Sequence, residues 1–214
     1  MSAEKNLGPL PGSLDKALQL AWNDLEARNL AEVAANAGGE VKDEDLVLMH
    51  FATACVVSPR ERSITEKDEE LAPPVKLLVL HYLLGCDPRV PAGKPITFAQ
   101  VPSGDIYFAA YKPRVVDRLS EEFGGDPQRL ERAGGRLGAE RLPMGDASIR
   151  LRVFPKMPII VTIWKGDDEL PASANLLFDE LAPSILPTED LAVLGAHVVQ
   201  RLRAETLNET SSAR

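Results

Sequence analysis

Three features of the 214-residue sequence predict an α+β fold, with a mostly antiparallel sheet and a C-terminal hairpin packed against several helices. First, β-rich and helical stretches are segregated along the chain and do not alternate strictly, as a doubly wound chain would require. Second, "SIRLRVF" alternates apolar and polar residues like a half-buried strand. "MPIIVTIW" is continuously apolar and β-branched like a central strand, and a turn near Pro155 joins the two into a hairpin. Third, several stretches show helical spacing bounded by capping residues.

In chain order, residues 1–12 read as a flexible leader. Ser13 is placed to cap a helix whose stripe is Leu14, Leu18, Ala21, Trp22 and Leu25. Asn29 caps a short helix, "LAEVAANA", that Gly38 and Gly39 end. "DLVLMHFATACVVSPRERSIT" reads as two or three strands with a turn at "SPRE". "VKLLVLHYLLG" is a nearly wholly apolar helix closed by Gly85. The proline-rich stretch 87–105 is loop with one short strand, and "IYFAAY" reads as a strand. "PRVVDRLSEEFGG" and "DPQRLERAGG" are helices, the first with Pro113 in its opening turn. After the hairpin, Thr188 caps a final helix with Glu189 and Asp190 against its N-terminal dipole and Leu191, Leu194, Val198 and Leu202 on one face. These elements make one domain over 13–207, with a frayed tail at 208–214.

Composition narrows the function classes. An apolar fraction of 44% and a charged fraction of 26% are ordinary for a soluble globule, and 5% aromatics imply an aliphatic core. A net charge of −8 argues against nucleic acid and against anionic membrane surfaces as partners. Cys55 and Cys86 lie in separate apolar runs, so they read as buried reduced thiols. No run approaches the ~20 apolar residues that span a bilayer, and "MSAEKNLGPLPGS" has no apolar signal core. The expected address is the cytoplasm.

No Walker loop, dinucleotide fingerprint, nucleophile elbow or zincin motif is present. His50, His81 and His197 are far apart and lack metal-ligand spacing. His81 reads as a core histidine bonded to a backbone group, and His197 as solvated. A pairing of His50 with His81 stays open. The strongest candidate is "WKGDDELPASANLLFD", residues 164–179, which puts Trp164, Gly166, Asp167, Asp168 and Glu169 at the rim of a central strand. Carboxylates and amides from Asp146, Asp167, Asp168, Glu169, Asn175 and Asp179 are the donors a hard cation takes, and Trp164 offers a stacking surface. The same residues also suit a plain turn, with Gly for positive φ and Asp for local capping. Residues 112–156 hold ten Lys/Arg against seven Asp/Glu, a local +3. Arg114, Arg118, Arg129, Arg132 and Arg136 either converge on an anion or pair with Glu121, Glu122 and Glu131 along helix faces.

"LLVLHYLLG", "GDASIRLRVFPKMPIIVTIWKGDDELPASANLLFD" and "LPTEDLAVLG" resemble an uncharacterised prokaryotic family, domain of unknown function 3786. The resemblance implies no established activity. It implies an association with anaerobes, some of whose relatives carry a cysteine-rich four-iron, four-sulfur segment like that of corrinoid iron–sulfur proteins. The two cysteines here are too few for such a cluster, which needs about four thiolates. The resulting expectation is an accessory protein of anaerobic-type metabolism that binds a small planar or anionic ligand near Asp146, Trp164, Asp167, Glu169, Asn175 and Asp179, with a tetrapyrrole or corrinoid as one candidate. The alternatives are a metal-dependent hydrolase or transferase built on Asp146, Asp167, Glu169 and Asp179, and an interaction domain docking through its last helix.

Overall fold

The computed structural model describes residues 11–212. The expected leader therefore lies outside them, apart from Pro11 and Gly12, which open helix α1 (Pro11–Glu26). Ser13 sits inside that helix, not at its cap. Helix α2 (Leu30–Ala37) is capped as expected: the Asn29 side chain accepts from the Glu32 amide, and Gly38 ends it in the left-handed conformation.

A first antiparallel sheet follows in simple up-and-down order: β1 (Glu40–Lys42), β2 (Asp45–His50), β3 (Thr53–Ser58), β4 (Ser63–Glu66) and β5 (Glu69–Glu70). Helix α3 (Pro73–Gly85) is apolar nearly all round, so it is buried on most sides and packs on α1 and α2. Strand β6 (Pro95–Thr97) is the short strand expected in the proline-rich stretch.

The "IYFAAY" stretch is not a strand. It forms helix α4 (Gly104–Tyr111). Strand propensity of Ile, Tyr and Phe is a weak prior that packing overrides. Gly104, Tyr111 and Val115 bury one helical face, while Ile106 and Tyr107 face solvent. Helices α5 (Val116–Phe123) and α6 (Gln128–Arg136) come next.

The second sheet has the order β6-β10-β9-β8-β7, where β7 is Glu140–Arg141, β8 Ala147–Phe154, β9 Met157–Trp164 and β10 Ser173–Asp179. The expected hairpin is β8–β9, turning at Pro155 and Lys156, with a bulge between Arg152 and Phe154. Its inner residues Ile149, Leu151, Ile159, Val161 and Ile163 are fully buried, and α5 and α6 cover that face.

Helix α7 (Ala182–Ile185) is one turn. Helix α8 (Thr188–Ser212) then runs through the molecule against α3, α5 and α6. Thr188 is its first residue, and its hydroxyl donates to Pro102 O at 2.6 Å in place of the expected capping bond. The helix continues past Leu207 into the stretch expected to fray. The two sheets meet where Phe51 N–H donates to Val153 O at 2.9 Å. The architecture is α+β with antiparallel sheets only. Among the described residues no helix is long and apolar enough to cross a membrane.

Candidate functional site

The acidic end of the hairpin is an exposed, self-satisfied rim. Asp146 Oδ2 accepts from Lys165 N–H at 2.7 Å. Asp167 Oδ1 accepts from the amides of Leu170 (2.7 Å) and Glu169 (2.9 Å), and these bonds hold its carboxyl below the usual carboxylate range. Trp164, 38% exposed, stands beside the Gly145 turn. Glu169 and Asn175 are exposed, and Asn175 pairs across to Thr162 on the outer face of β10.

Asp179 is elsewhere. It lies at the far end of β10, a strand roughly 20 Å long. It is buried, and it accepts from the amides of Gly93 (2.6 Å), Ala92 (3.0 Å) and Leu181 (3.0 Å). The structure thus gathers Asp146, Trp164, Asp167 and Glu169 at one rim and separates Asp179 from them. Among the described residues no three His, Cys, Asp or Glu side chains form a metal-holding group. Two of the helix arginines follow the pairing expectation, Arg118 with Glu121 (3.1 Å) and Arg129 with Glu122 (3.2 Å); Arg132 instead meets Asp126 (3.0 Å), and Glu131 is met by Arg141 (3.3 Å). Cys55 and Cys86 are free and buried, and burial pushes their thiols up to about 12 and about 11.

A different site lies between the start of α3, α4 and α8. A groove of about 400 Å³ runs there, walled by Val75, Tyr107, Ala192 and Ala196, with Tyr111 and His197 in its lining. Tyr111 stacks on Phe98 with ring centroids 3.9 Å apart, which fixes the ring. Its hydroxyl is buried without a hydrogen-bond partner, and burial pushes its pKa well up. An unpaired buried hydroxyl costs about 1–3 kcal/mol.

Behind the groove is a buried ionisable network. His197, expected to be solvated, is only 7% exposed, because α8 is packed on several sides and buries a wide arc, not one stripe. Its Nε2 lies 3.1 Å from His50 Nε2, so one of the two nitrogens carries the shared proton. His50 Nδ1 is buried, without a hydrogen-bond partner, and 3.7 Å from Glu66 Oε1. That distance is too long for a hydrogen bond, but the carboxylate favours the proton on Nδ1. Arg201 clamps Glu66 from the other side at 2.7 and 3.4 Å and lies over the Phe51 ring, 4.9 Å from its centroid.

The charges follow. Desolvation would raise Glu66, but the hydrogen-bonded Arg201 guanidinium and the nearby His50 Nδ1 hold it at about 2. Desolvation lowers both imidazoles, His197 to about 3; the Arg201 charge adds to it, and Glu66 opposes it at His50 without overcoming it. The network is therefore an ion pair beside two neutral rings. Carboxylate placement assigns the tautomers: His50 protonated on Nδ1, His197 protonated on Nε2, and His197 Nδ1 left as a lone pair.

Phe51 holds this arrangement and carries strain. It sits in the two-residue β2–β3 turn at φ 53°, a conformation costly for a non-glycine aromatic residue. It is compensated by the bond to Val153 O and by contact with His50 and His197 at ring separations of 4.8 and 5.7 Å. His81, expected to bond a backbone group, instead places Nδ1 2.5 Å from Asp190 Oδ2, which raises its pKa.

The sequence profile of a family described as "Domain of unknown function (DUF3786)" matches residues 29–201. The chain belongs to the DUF3786 family. No curated protein and no solved structure matches it. The segment shared with DUF3786 opens at the α2 cap and closes at Arg201, so it contains all four members of the buried network. The network escaped the sequence reading because its members are far apart in the chain; His50 and His197 are separated by 147 positions. One signal was available: His197 and Arg201, four apart, both flank the apolar stripe Leu194, Val198 and Leu202.

Proposed function

We propose that this DUF3786 chain is a cytoplasmic ligand-binding protein whose ligand occupies the α3–α4–α8 groove. The observation that carries the reading is His197, which lines the groove and is bonded behind it to the buried His50, the neutral pair being backed by Glu66 and Arg201. A buried charged network is expensive to maintain for packing alone, and exchange for apolar residues is often neutral or stabilising. Perturbed ionisable groups beside a cavity mark functional sites.

The groove suits a mostly apolar molecule with a polar head, and Arg114, Thr188, Glu189 and Gln200 in its lining leave room for further polar contacts. That head would accept from the Tyr111 hydroxyl and donate to His197 Nδ1. A volume of about 400 Å³ is at the small end of ligand pockets, which run roughly 300–1,000 Å³. The tetrapyrrole or corrinoid suggested by the family resemblance is a larger candidate. The groove would hold only one edge of it, with His197 as the nitrogen donor. The rim near Trp164 is less favoured, since Asp146 and Asp167 already satisfy turn amides.

A fragment screen followed by backbone amide NMR tests the groove. Aromatic amides and phenols should shift the amides of Tyr111, Ala192 and His197, and Ala196→Phe, which fills the groove, should abolish those shifts. Binding that survives Ala196→Phe, or shifts confined to residues 164–170, would overturn the assignment. A visible absorption band in protein purified without oxygen would favour the tetrapyrrole over the smaller ligand.

A further inference from the structure

The outer face of the second sheet carries a pattern the groove does not use. Strand β8 turns Ile149, Leu151 and Val153 inward, so Arg150 and Arg152 point outward together. Residues two apart on one strand face stand about 7 Å apart. Across the sheet Arg152 faces Pro158, and Arg150 faces Ile160 on β9 and Glu140 on β7, the one charged cross-strand neighbour of the pair. Two hollows of about 330 and 320 Å³ flank the arginines, and both side chains line both hollows. The first hollow is walled by Pro91, Pro95, Pro155, Pro158, Ile160 and Leu177.

Counter-charge on this face is scarce. Arg150 reaches Glu140 only at 3.5 Å, and Arg152 makes no hydrogen bond or ion pair among the described residues. Asp179 borders the first hollow, but its oxygens are committed to the amides of Ala92, Gly93 and Leu181. Two neighbouring guanidinium groups repel each other, and here they do so in a chain of net charge −8 that offers acids in plenty elsewhere. The bulge beside Arg152 sets where that side chain leaves the strand.

We propose that this face binds an organic anion: a carboxylate or phosphate head held between Arg150 and Arg152, with an apolar ring-sized body in the proline-walled hollow. Guanidinium forks bind both head groups through paired N–H donors. The site is separate from the groove and does not depend on it.

The test titrates the whole protein with 2-naphthoate and with 2-naphthyl phosphate, read by arginine Nε–H and Ile160 and Leu177 methyl resonances. Methyl 2-naphthoate is the uncharged control. At least one anion should saturate while shifting Arg150, Arg152 and the two methyl residues, and the tighter of the two names the head group. Arg152→Gln should weaken binding at least about tenfold, a difference of about 1.4 kcal/mol, with the melting temperature unmoved. Ala196→Phe should leave this binding intact, so a failed groove and a failed sheet face give different results. The proposal is overturned if neither anion moves the arginines. It is equally overturned if Arg152→Gln binds like the parent, or if the ester binds as tightly as the acid.

Discussion

At the scale of single residues, the three histidines pull stability in opposite directions with pH. His50 and His197 have lowered pKa values, His197 at about 3 against an ordinary 6.5. Between those values the unfolded chain takes protons that the folded one refuses. The contribution of these two rings should therefore be flat above about pH 6.5 and fall as pH drops below it, with a slope approaching about 1.4 kcal/mol per pH unit for His197. Glu66, held at about 2, adds a loss in the same sense at lower pH, between the ordinary carboxylate value and its own. His81 has a raised pKa, so its contribution is full below the ordinary histidine value and disappears as pH rises through the raised one. Urea unfolding across about pH 4–9 should show that His197→Gln flattens the acid side and His81→Gln flattens the neutral side. Phe51 offers a second check. Glycine would relieve its positive φ, a gain of about 1 kcal/mol, but would empty a site whose aromatic burial is worth about 3–5 kcal/mol. Phe51→Gly should therefore destabilise by about 2–4 kcal/mol in the same assay. A stabilised variant would mean that the ring is not what holds the turn.

At the scale of elements, the legible parts were those whose local signal agreed with their packing. The β8–β9 hairpin reads directly from "SIRLRVF" and "MPIIVTIW". Helix α2 reads from Asn29 and Gly38, and α3 from its apolar length. Helix α4 was misread because "IYFAAY" has strand-forming residues and only Gly104, Tyr111 and Val115 betray the helical spacing. Thr188 was misread because its hydroxyl has a distant partner, Pro102, that no local pattern reveals. The close approach of α3 to α7 makes an element-level prediction. A Cβ on Gly85 would lie 1.9 Å from Ile185 O, an overlap with backbone that cannot swing away. Gly85→Ala should cost about 3 kcal/mol or more despite the better helix propensity of alanine. A neutral result would show that α7 moves freely against α3.

At the scale of the whole molecule, α8 gathers the candidate site. It supplies His197 and Arg201 to the network, Ala192 and Ala196 to the groove, and Asp190 to His81. The first sheet supplies His50 and Glu66, and the Phe51–Val153 bond ties that sheet to the second. The candidate site was illegible for this reason: its members come from β2, β4, α4 and α8, and only the fold brings them together. The rim at Trp164 was legible because it is one continuous stretch, and it proves to be exposed, with Asp179 turned to the opposite end of the sheet. The measurement that bears most directly on the account is the imidazole ¹⁵N spectrum at about pH 7, with and without a groove-binding fragment. The account predicts two neutral, coupled rings for His50 and His197, the His197 proton on Nε2, and a shift of His197 Nδ1 when the groove fills. A cationic ring in that pair, or a His197 spectrum unmoved by saturating fragment, would contradict it.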